Sequence, residues 1–141
     1  MRVRAIFEIA KNEAEHVWGP MDILFMVGTR SAFPELRNYA YCSKLDLDTC
    51  LIVVAPKMKL ASDDRCVAVV RHEIGHAIDF LIPKNEVDAA ILERGLIPYQ
   101  TPERKADQIA EITYDEPIYY DDDTIQSLLK GIRPRPSQLG L

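Results

Sequence analysis

The stretch "VAVVRHEIGHAIDFLIP", Val67–Pro83, decides what we expect of this chain. Its apolar residues recur at spacings of three and four, which predicts a helix with a buried face. Ser62 is a suitable N-cap, and Pro83 ends the helix because the residue before a proline disfavours helical geometry. Gly75 nevertheless stands near the middle, where a glycine costs roughly 1 kcal/mol relative to alanine. A role of the neighbouring residues would have to explain why a glycine stands at this position.

Two of the three histidines in the chain, His72 and His76, flank this glycine. Four residues apart on a helix, they share one face and can bind one ion together. Glu73 lies near the same face, within reach of a water on that ion. This H-E-x-x-H pattern predicts that two imidazoles hold Zn²⁺, that the ion lowers the pKa of its water, and that Glu73 takes the proton as the water attacks a carbonyl. The alternative is a surface helix with incidental histidines.

A catalytic zinc site needs a third protein ligand, and the next strong helix supplies carboxylates. That helix, "TPERKADQIAEI", begins with Thr101 as N-cap and a proline at its first position. Glu103, Asp107 and Glu111 recur at a spacing of four and form an acidic stripe. Glu103 is the preferred ligand, with Asp107 or Glu111 as substitutes. If Glu103 binds the ion, Asp107 can hydrogen-bond a ligand histidine and fix its tautomer.

Two further roles can be assigned around this site. Asp79, three residues after His76, is predicted to support a ligand histidine or to form a salt bridge, because a third ligand normally comes from another segment. Zinc peptidases often need a group that stabilises an oxyanion, and Tyr114 is the favoured candidate because it directly follows the ligand helix. The sequence does not choose between it and the other tyrosines, which are equally core or interface residues: Tyr99, Tyr119 and Tyr120.

"HEIGH" followed by "ERKADQIA" resembles the gluzincin metallopeptidases, in particular the ImmA/IrrE-type peptidases or the minimal gluzincins. The second motif of that group, E-x-x-A-[ND]-x-[FI]-A, is matched by Glu103, Ala106, Asp107, Ile109 and Ala110. The resemblance implies a zincin-like core in which His72, His76 and Glu103 hold zinc. It also implies peptide hydrolysis with Glu73 as the base. The family commonly has glycine at the position of Gly75, where a missing side chain lets another backbone segment approach the active-site helix.

The order of elements predicts one α+β domain over residues 1–141, with a small, mostly antiparallel sheet packed against the two site helices. In the zincin-like interpretation, the strand Leu51–Val54 borders the cleft and pairs with an extended substrate; the alternative is an ordinary buried strand. The predicted elements, in chain order, are a helix over 1–18, a strand over 22–28, two strands within 38–56 joined by a polar turn at 45–48, the helix after Ser62, a short helix capped by Asn85 and Gly95, the helix after Thr101, a helix over 123–130 and an extended tail over 131–141.

Composition narrows the classes of function. A hydrophobic fraction of 48% and a charged fraction of 28% are typical of a soluble globular protein. The net charge of −5 disfavours general nucleic-acid binding. We expect no membrane partner, because no apolar run approaches the roughly 20 residues of a membrane-spanning helix, and the N-terminus has no signal-peptide pattern. Cys42, Cys50 and Cys66 lack CxxC spacing and are expected to be free thiols in a cytoplasmic protein; the alternative is a Cys42–Cys50 disulfide.

These patterns together predict a zinc-dependent metallopeptidase with a narrow protein or peptide substrate. The alternative is a zincin-like metal-binding interaction module that is catalytically silent or latent.

Overall fold

The computed structural model describes residues 2–33 and 39–118, which form an α+β fold with a three-stranded sheet. The predicted helix over 123–130 and the predicted tail over 131–141 lie outside the described residues. The elements, in chain order, are α1 (Arg2–Trp18), β1 (Asp22–Val27), β2 (Ala40–Lys44), β3 (Thr49–Val54), α2 (Asp63–Leu81), α3 (Lys84–Glu93) and α4 (Pro102–Tyr114). The sequence pattern therefore located each of these helices and strands.

The sheet has the order β1-β3-β2, so β3 is its central strand. β2 and β3 form the predicted antiparallel hairpin, but β1 runs parallel to β3, in register from Asp22 opposite Thr49. The sheet is therefore mixed, and the prediction of a mostly antiparallel sheet was wrong. The apolar run of β3 is consistent with a central position, since Cys50, Ile52 and Val54 have no exposed surface and buried strands have near-continuous hydrophobic runs. Strand patterns predict strands, not which strands become neighbours.

Helices α1 and α2 cover one face of this sheet. Phe7 of α1 stacks on Phe25 of β1, with ring centroids 4.8 Å apart. Ile52 of β3 and Ile74 and Ile78 of α2 are fully buried in the same core. Each such side chain stabilises the fold by about 1.5–3 kcal/mol relative to its exposed state. The core therefore fixes α2 against the sheet, and with it the position of the two histidines.

Helix α2 lies between the sheet and α4, so residues 72–78 are all buried. Its start is as predicted, because the Ser62 hydroxyl accepts a hydrogen bond of 3.2 Å from the backbone N–H of Arg65. In the described part of the chain, no helix is at once long enough and apolar enough to cross a membrane. A helix buried on two sides places its polar residues in contact with a second element rather than with solvent.

The caps of α3 and α4 differ in part from those predicted. Helix α3 begins at Lys84 after Pro83, so Asn85 lies inside the first turn and the prediction that it caps the helix was wrong. Pro83 occupies the N-cap position instead, with a non-helical ψ of 137°. Gly95 follows the end of α3 with φ at +75°, a conformation that glycine adopts without strain. Thr101 is the N-cap residue of α4, although its side chain makes no capping hydrogen bond.

Candidate metal centre

Helix α2 presents His72 and His76 to α4. Because four residues make about one helical turn, the two side chains lie one above the other. Their ring centroids are 4.7 Å apart and their planes cross at 86°. His72 is 1% exposed and His76 is 8% exposed. Two imidazoles held this way are shielded from water except where the cluster opens at His76.

Glu103, in the first turn of α4, completes the cluster. Its Oε2 atom lies 2.7 Å from Nε2 of His72 and 3.0 Å from Nε2 of His76. One possible ligand atom from each of the three residues lies within 4.8 Å of the other two. The three residues predicted as ligands are therefore brought together in a group that could bind a metal ion. Glu111, which the sequence offered as an alternative ligand, lies about 12 Å from Glu103 along the axis of α4.

Asp107 lies behind His72. Its Oδ1 atom is 3.0 Å from Nδ1 of His72, so both ring nitrogens of that histidine have a carboxylate partner. A carboxylate at Nδ1 favours the tautomer with its proton there, which leaves the Nε2 lone pair for an ion. The contact is the one predicted from the spacing of Glu103 and Asp107.

Gly75 is required by the approach of α4 to α2. A Cβ atom added at Gly75 would lie 2.2 Å from the carbonyl oxygen of Ala106 and 2.9 Å from its carbonyl carbon. Both atoms belong to the backbone, so no rotamer change relieves the overlap. The prediction that a second backbone segment approaches the helix at this position is confirmed. The glycine weakens α2 locally, but it brings the first turn of α4, with Glu103, to the histidines.

The histidines and carboxylates of the cluster shift one another's pKa. Burial alone lowers the pKa of His72, but the hydrogen bonds with Asp107 and Glu103 outweigh it and raise the pKa to about 10. For Glu103, burial raises the pKa, yet the bonds to His72 and His76 hold it well below its ordinary value. Without an ion, the cluster therefore retains a positive charge between its carboxylates. A divalent cation supplies positive charge at the same place, so the donor set fits a metal ion.

Glu73 is buried beside the cluster, at 3% exposure. Burial raises the pKa of its carboxyl group, and the carboxylates of Glu103 and Asp107 raise it further, while the two histidines oppose them. Its charge also adds to the effect of burial in raising the pKa of the Cys42 thiol on β2. Glu73 is thus a carboxyl group near both the histidines and the edge strand, with a raised affinity for a proton.

The other predicted site residues have different partners. Asp79 lies 3.7 Å from Nζ of Lys105, which is the predicted salt bridge. The Tyr114 hydroxyl donates a hydrogen bond of 2.8 Å to the carbonyl of Ala10, at the far end of α4, about 16 Å along the axis from Glu103. The structure therefore does not bring Tyr114 to the cluster, because α1 takes its hydroxyl. The Tyr99 ring lies 4.1 Å from the guanidinium of Arg104; Tyr119 and Tyr120 lie outside the described residues.

The strand that precedes α2 also differs from expectation. Residues Leu51–Val54 belong to β3, whose two edges are occupied by β1 and β2. A strand paired on both sides has no free backbone groups for a substrate, so the prediction that it pairs with one was wrong and the buried-strand alternative holds. Within the described residues, β2 pairs with β3 at one edge and has no strand partner at its other edge.

Two contacts near the cluster were not found from the sequence. Gln108 holds the segment that enters α4: its amide donates to the carbonyl of Ile97 at 2.9 Å and accepts from the Tyr99 N–H at 3.0 Å. Phe80, 42% exposed, stacks on His76 with ring centroids 6.4 Å apart. The only sequence signal for Phe80 is its spacing of four from His76, and Gln108 has none, because its partners lie in an irregular segment.

No family model matches this chain, and neither the curated proteins nor the solved structures contain a match to it. The cluster itself therefore carries the functional interpretation.

Proposed function

We propose that this protein is a zinc-dependent hydrolase of peptide bonds. One observation carries the proposal: two histidines of α2 and one glutamate of α4 converge within 4.8 Å, with a second, buried glutamate beside them. A His₂Glu donor set is typical of catalytic zinc sites, whereas structural zinc sites usually have four protein ligands rich in cysteine. None of the three cysteines belongs to this cluster. The choice of zinc over other divalent metals is part of the proposal.

In this proposal, His72 and His76 would hold the ion through Nε2, and Glu103 would hold it through a carboxylate oxygen. When bound, Zn²⁺ acts as a Lewis acid and makes water nucleophilic near neutral pH. Asp107 keeps the proton of His72 on Nδ1, so that the opposite nitrogen faces the ion in every turnover. The close contact of Gly75 with Ala106 holds the two helices at the separation that these bonds require.

Glu73 is the proposed general base. Its carboxylate accepts a proton from the attacking water and then delivers it to the nitrogen of the leaving amine. A general base works best when its pKa lies near the working pH, and burial raises the pKa of Glu73 above that of an ordinary carboxyl group, toward that range. A glutamate exposed on the outer face of α2 would not have this property.

The edge strand β2 is the proposed binding site for an extended peptide. It packs against α2, and the charge of Glu73 acts on Cys42 in its middle. An extended chain that pairs with the edge of β2 that has no strand partner among the described residues would therefore run near Glu73. A substrate that must pair with β2 as an extended strand in one register would come from a narrow set of proteins or peptides.

The test combines metal analysis with hydrolysis. Protein purified without added metal is analysed by mass spectrometry, then supplied with zinc and incubated with a peptide library. We expect about one zinc per chain in the wild type, a large loss in Glu103→Ala, and retention in Glu111→Ala. Glu73→Gln keeps the ion but loses at least about a hundredfold in hydrolysis. Glu111→Ala is the matched control, since it removes a carboxylate from the same helix.

The outcomes separate the alternatives. If Glu73→Gln cleaves as fast as the wild type, the proposed mechanism is wrong. If the wild type binds zinc but cleaves no peptide in the library, the metal-binding interaction module becomes the better assignment. Absence of zinc from the wild type, even after zinc is supplied, would reject the metal centre itself.

A further inference from the structure

Lys105 carries a buried charge next to the candidate metal centre. The residue is 8% exposed, which is unusual for a lysine. Its ammonium Nζ lies 2.9 Å from Oδ1 of Asp88 on α3 and 3.7 Å from Oδ1 of Asp79 on α2. One side chain of α4 thus ties three helices together. A buried ammonium without such partners would be strongly destabilising, so these contacts are obligatory once the lysine is buried.

The position of this ion-pair cluster relates it to the metal centre. Lys105 follows Glu103 by two residues on α4, and Asp79 follows His76 by three on α2. A step of two residues along a helix rotates the side-chain direction by about 200°, so the side chains of Lys105 and Glu103 project from nearly opposite sides of the first turn of α4. The ion pairs of Lys105 with Asp79 and Asp88 therefore anchor the same turn of α4 that carries Glu103.

We propose that Lys105 is a positioning residue for the metal centre, which sets how far α4 slides along α2 and hence where the Glu103 carboxylate lies. The inference rests on the proposed metal-binding function. The contact of Gly75 with Ala106 limits the distance between the two helices, but it leaves sliding and rotation less constrained. Displacing α4 by a single residue would move Glu103 by about 1.5 Å along the axis, whereas metal-ligand distances tolerate only about 0.2 Å.

The other end of α4 supplies a matched control. Arg94, at the end of α3, donates to Oδ1 of Asp115 at 2.9 Å and to the carbonyl of Ile112 at 3.2 Å. This tie also joins α3 to α4 through an ion pair, but it lies at the end of α4 that bears no ligand. Its loss should therefore affect stability without affecting the geometry at Glu103.

The experiment measures zinc dissociation constants by competition with a chromophoric chelator, at a temperature where every variant is folded. Denaturant unfolding of the metal-free proteins is measured in parallel. We expect Lys105→Met to weaken zinc binding by about tenfold, the lower end of the range for residues that support metal ligands. Arg94→Met should leave the dissociation constant within about twofold. Lys105→Arg should recover most of the affinity, because a guanidinium can pair with both aspartates.

Each outcome decides the inference. Unchanged zinc affinity in Lys105→Met would show that Lys105 serves stability alone, and the proposed metal site would stand. Equal losses in Lys105→Met and Arg94→Met would likewise overturn a specific positioning role. If the wild type binds no zinc, the proposed function fails and the positioning role fails with it. Should Lys105→Met not fold, Asp88→Asn on the partly exposed face of α3 provides the test: a smaller loss of affinity supports the inference, and no loss overturns it.

Discussion

Helices α2 and α4 differ from the three-stranded sheet in the kind of residue that they bury. In the described part of the chain, the buried polar and charged residues all lie on these two helices: His72, Glu73, His76, Lys105, Asp107, Gln108 and Thr113. The buried residues of the strands are apolar, and they include Ile23, Phe25, Cys50, Ile52, Val53 and Val54. The core beneath the sheet stabilises the fold, while the helix interface carries groups whose burial costs free energy.

This difference separates the apolar core, which stabilises the fold, from the two helices that carry the candidate metal centre. A buried polar group left without a partner costs about 1–3 kcal/mol, so the two helices, which carry seven of them, require accurate pairing with the elements packed against them. Apolar contacts in the sheet are less directional and tolerate small shifts. We therefore expect substitutions in the helix interface to change metal binding and stability together, and substitutions in the sheet to change stability alone.

The largest effect is expected for Gly75→Ala. The added Cβ would overlap the backbone of Ala106 at 2.2 Å, so the helices must separate. The free energy of unfolding should fall by roughly 3 kcal/mol, although alanine alone would favour the helix, and zinc affinity should fall as well. Denaturant unfolding and chelator competition measure the two effects.

The control for Gly75→Ala is the double variant with Ala106→Gly. The overlap is with the backbone of residue 106, not with its side chain, so removing that side chain should not restore stability. A Gly75→Ala protein that is as stable as the wild type and binds zinc equally well would show that the helices are not in close contact there.

Asp107→Asn should weaken zinc binding by about 10-fold to 100-fold. The amide can still accept a hydrogen bond from Nδ1 of His72, but it no longer stabilises positive charge on the ring. Chelator competition measures the change. Asp115→Asn, an exposed substitution just after the same helix, should leave affinity unchanged; equal effects of the two substitutions would indicate a general loss of negative charge instead.

Ile52→Val tests the sheet side of the comparison. Ile52 is fully buried at the centre of β3, and the loss of one methylene group should lower the free energy of unfolding by about 1 kcal/mol. Zinc affinity of the folded protein should remain within about twofold of the wild type. A larger change in affinity would mean that the sheet and the metal centre are coupled more tightly than their contacts indicate.

The smallest effect concerns the thiols of the sheet at alkaline pH. Burial raises the pKa of Cys42 and of Cys50 above the ordinary value of 9.0. Above that value the unfolded chain loses these protons while the folded chain keeps them, so the free energy of unfolding falls as the pH rises. For Cys42 the loss at pH 9 is about 0.4 kcal/mol. Unfolding measured from pH 7 to 9 should show a shallower decline in Cys42→Val, and an unchanged slope would contradict the raised pKa.

Much of the candidate centre could be predicted because its signals are local. The spacing of His72 and His76 defines a helix face, and the spacing of Glu103 and Asp107 defines another. Gly75 stood out because a glycine inside a helix has a cost that needs a reason. The sequence also predicted the hairpin of β2 and β3, since its turn joins two adjacent strands.

The missed features depend on residues far apart in the chain. Tyr114 is the last residue of α4, but whether its hydroxyl meets Ala10 or the candidate metal centre is decided by the packing of α1. The parallel pairing of β1 with β3 was missed for the same reason, because the alternation of a strand predicts its faces and not its neighbours. The partners of Lys105 come from two other helices, and no local pattern identifies them.

The sequence by itself determined the helices and strands and the residue types that could bind a metal, because backbone periodicity and side-chain chemistry are properties of short segments. The tertiary structure alone decided that Glu103, and not Glu111, meets the two histidines, and that β2 is an edge strand near Glu73. It also decided that the backbone of Ala106 approaches Gly75. These features follow from how α2 is packed between the sheet and α4, and that packing is set by contacts throughout the core.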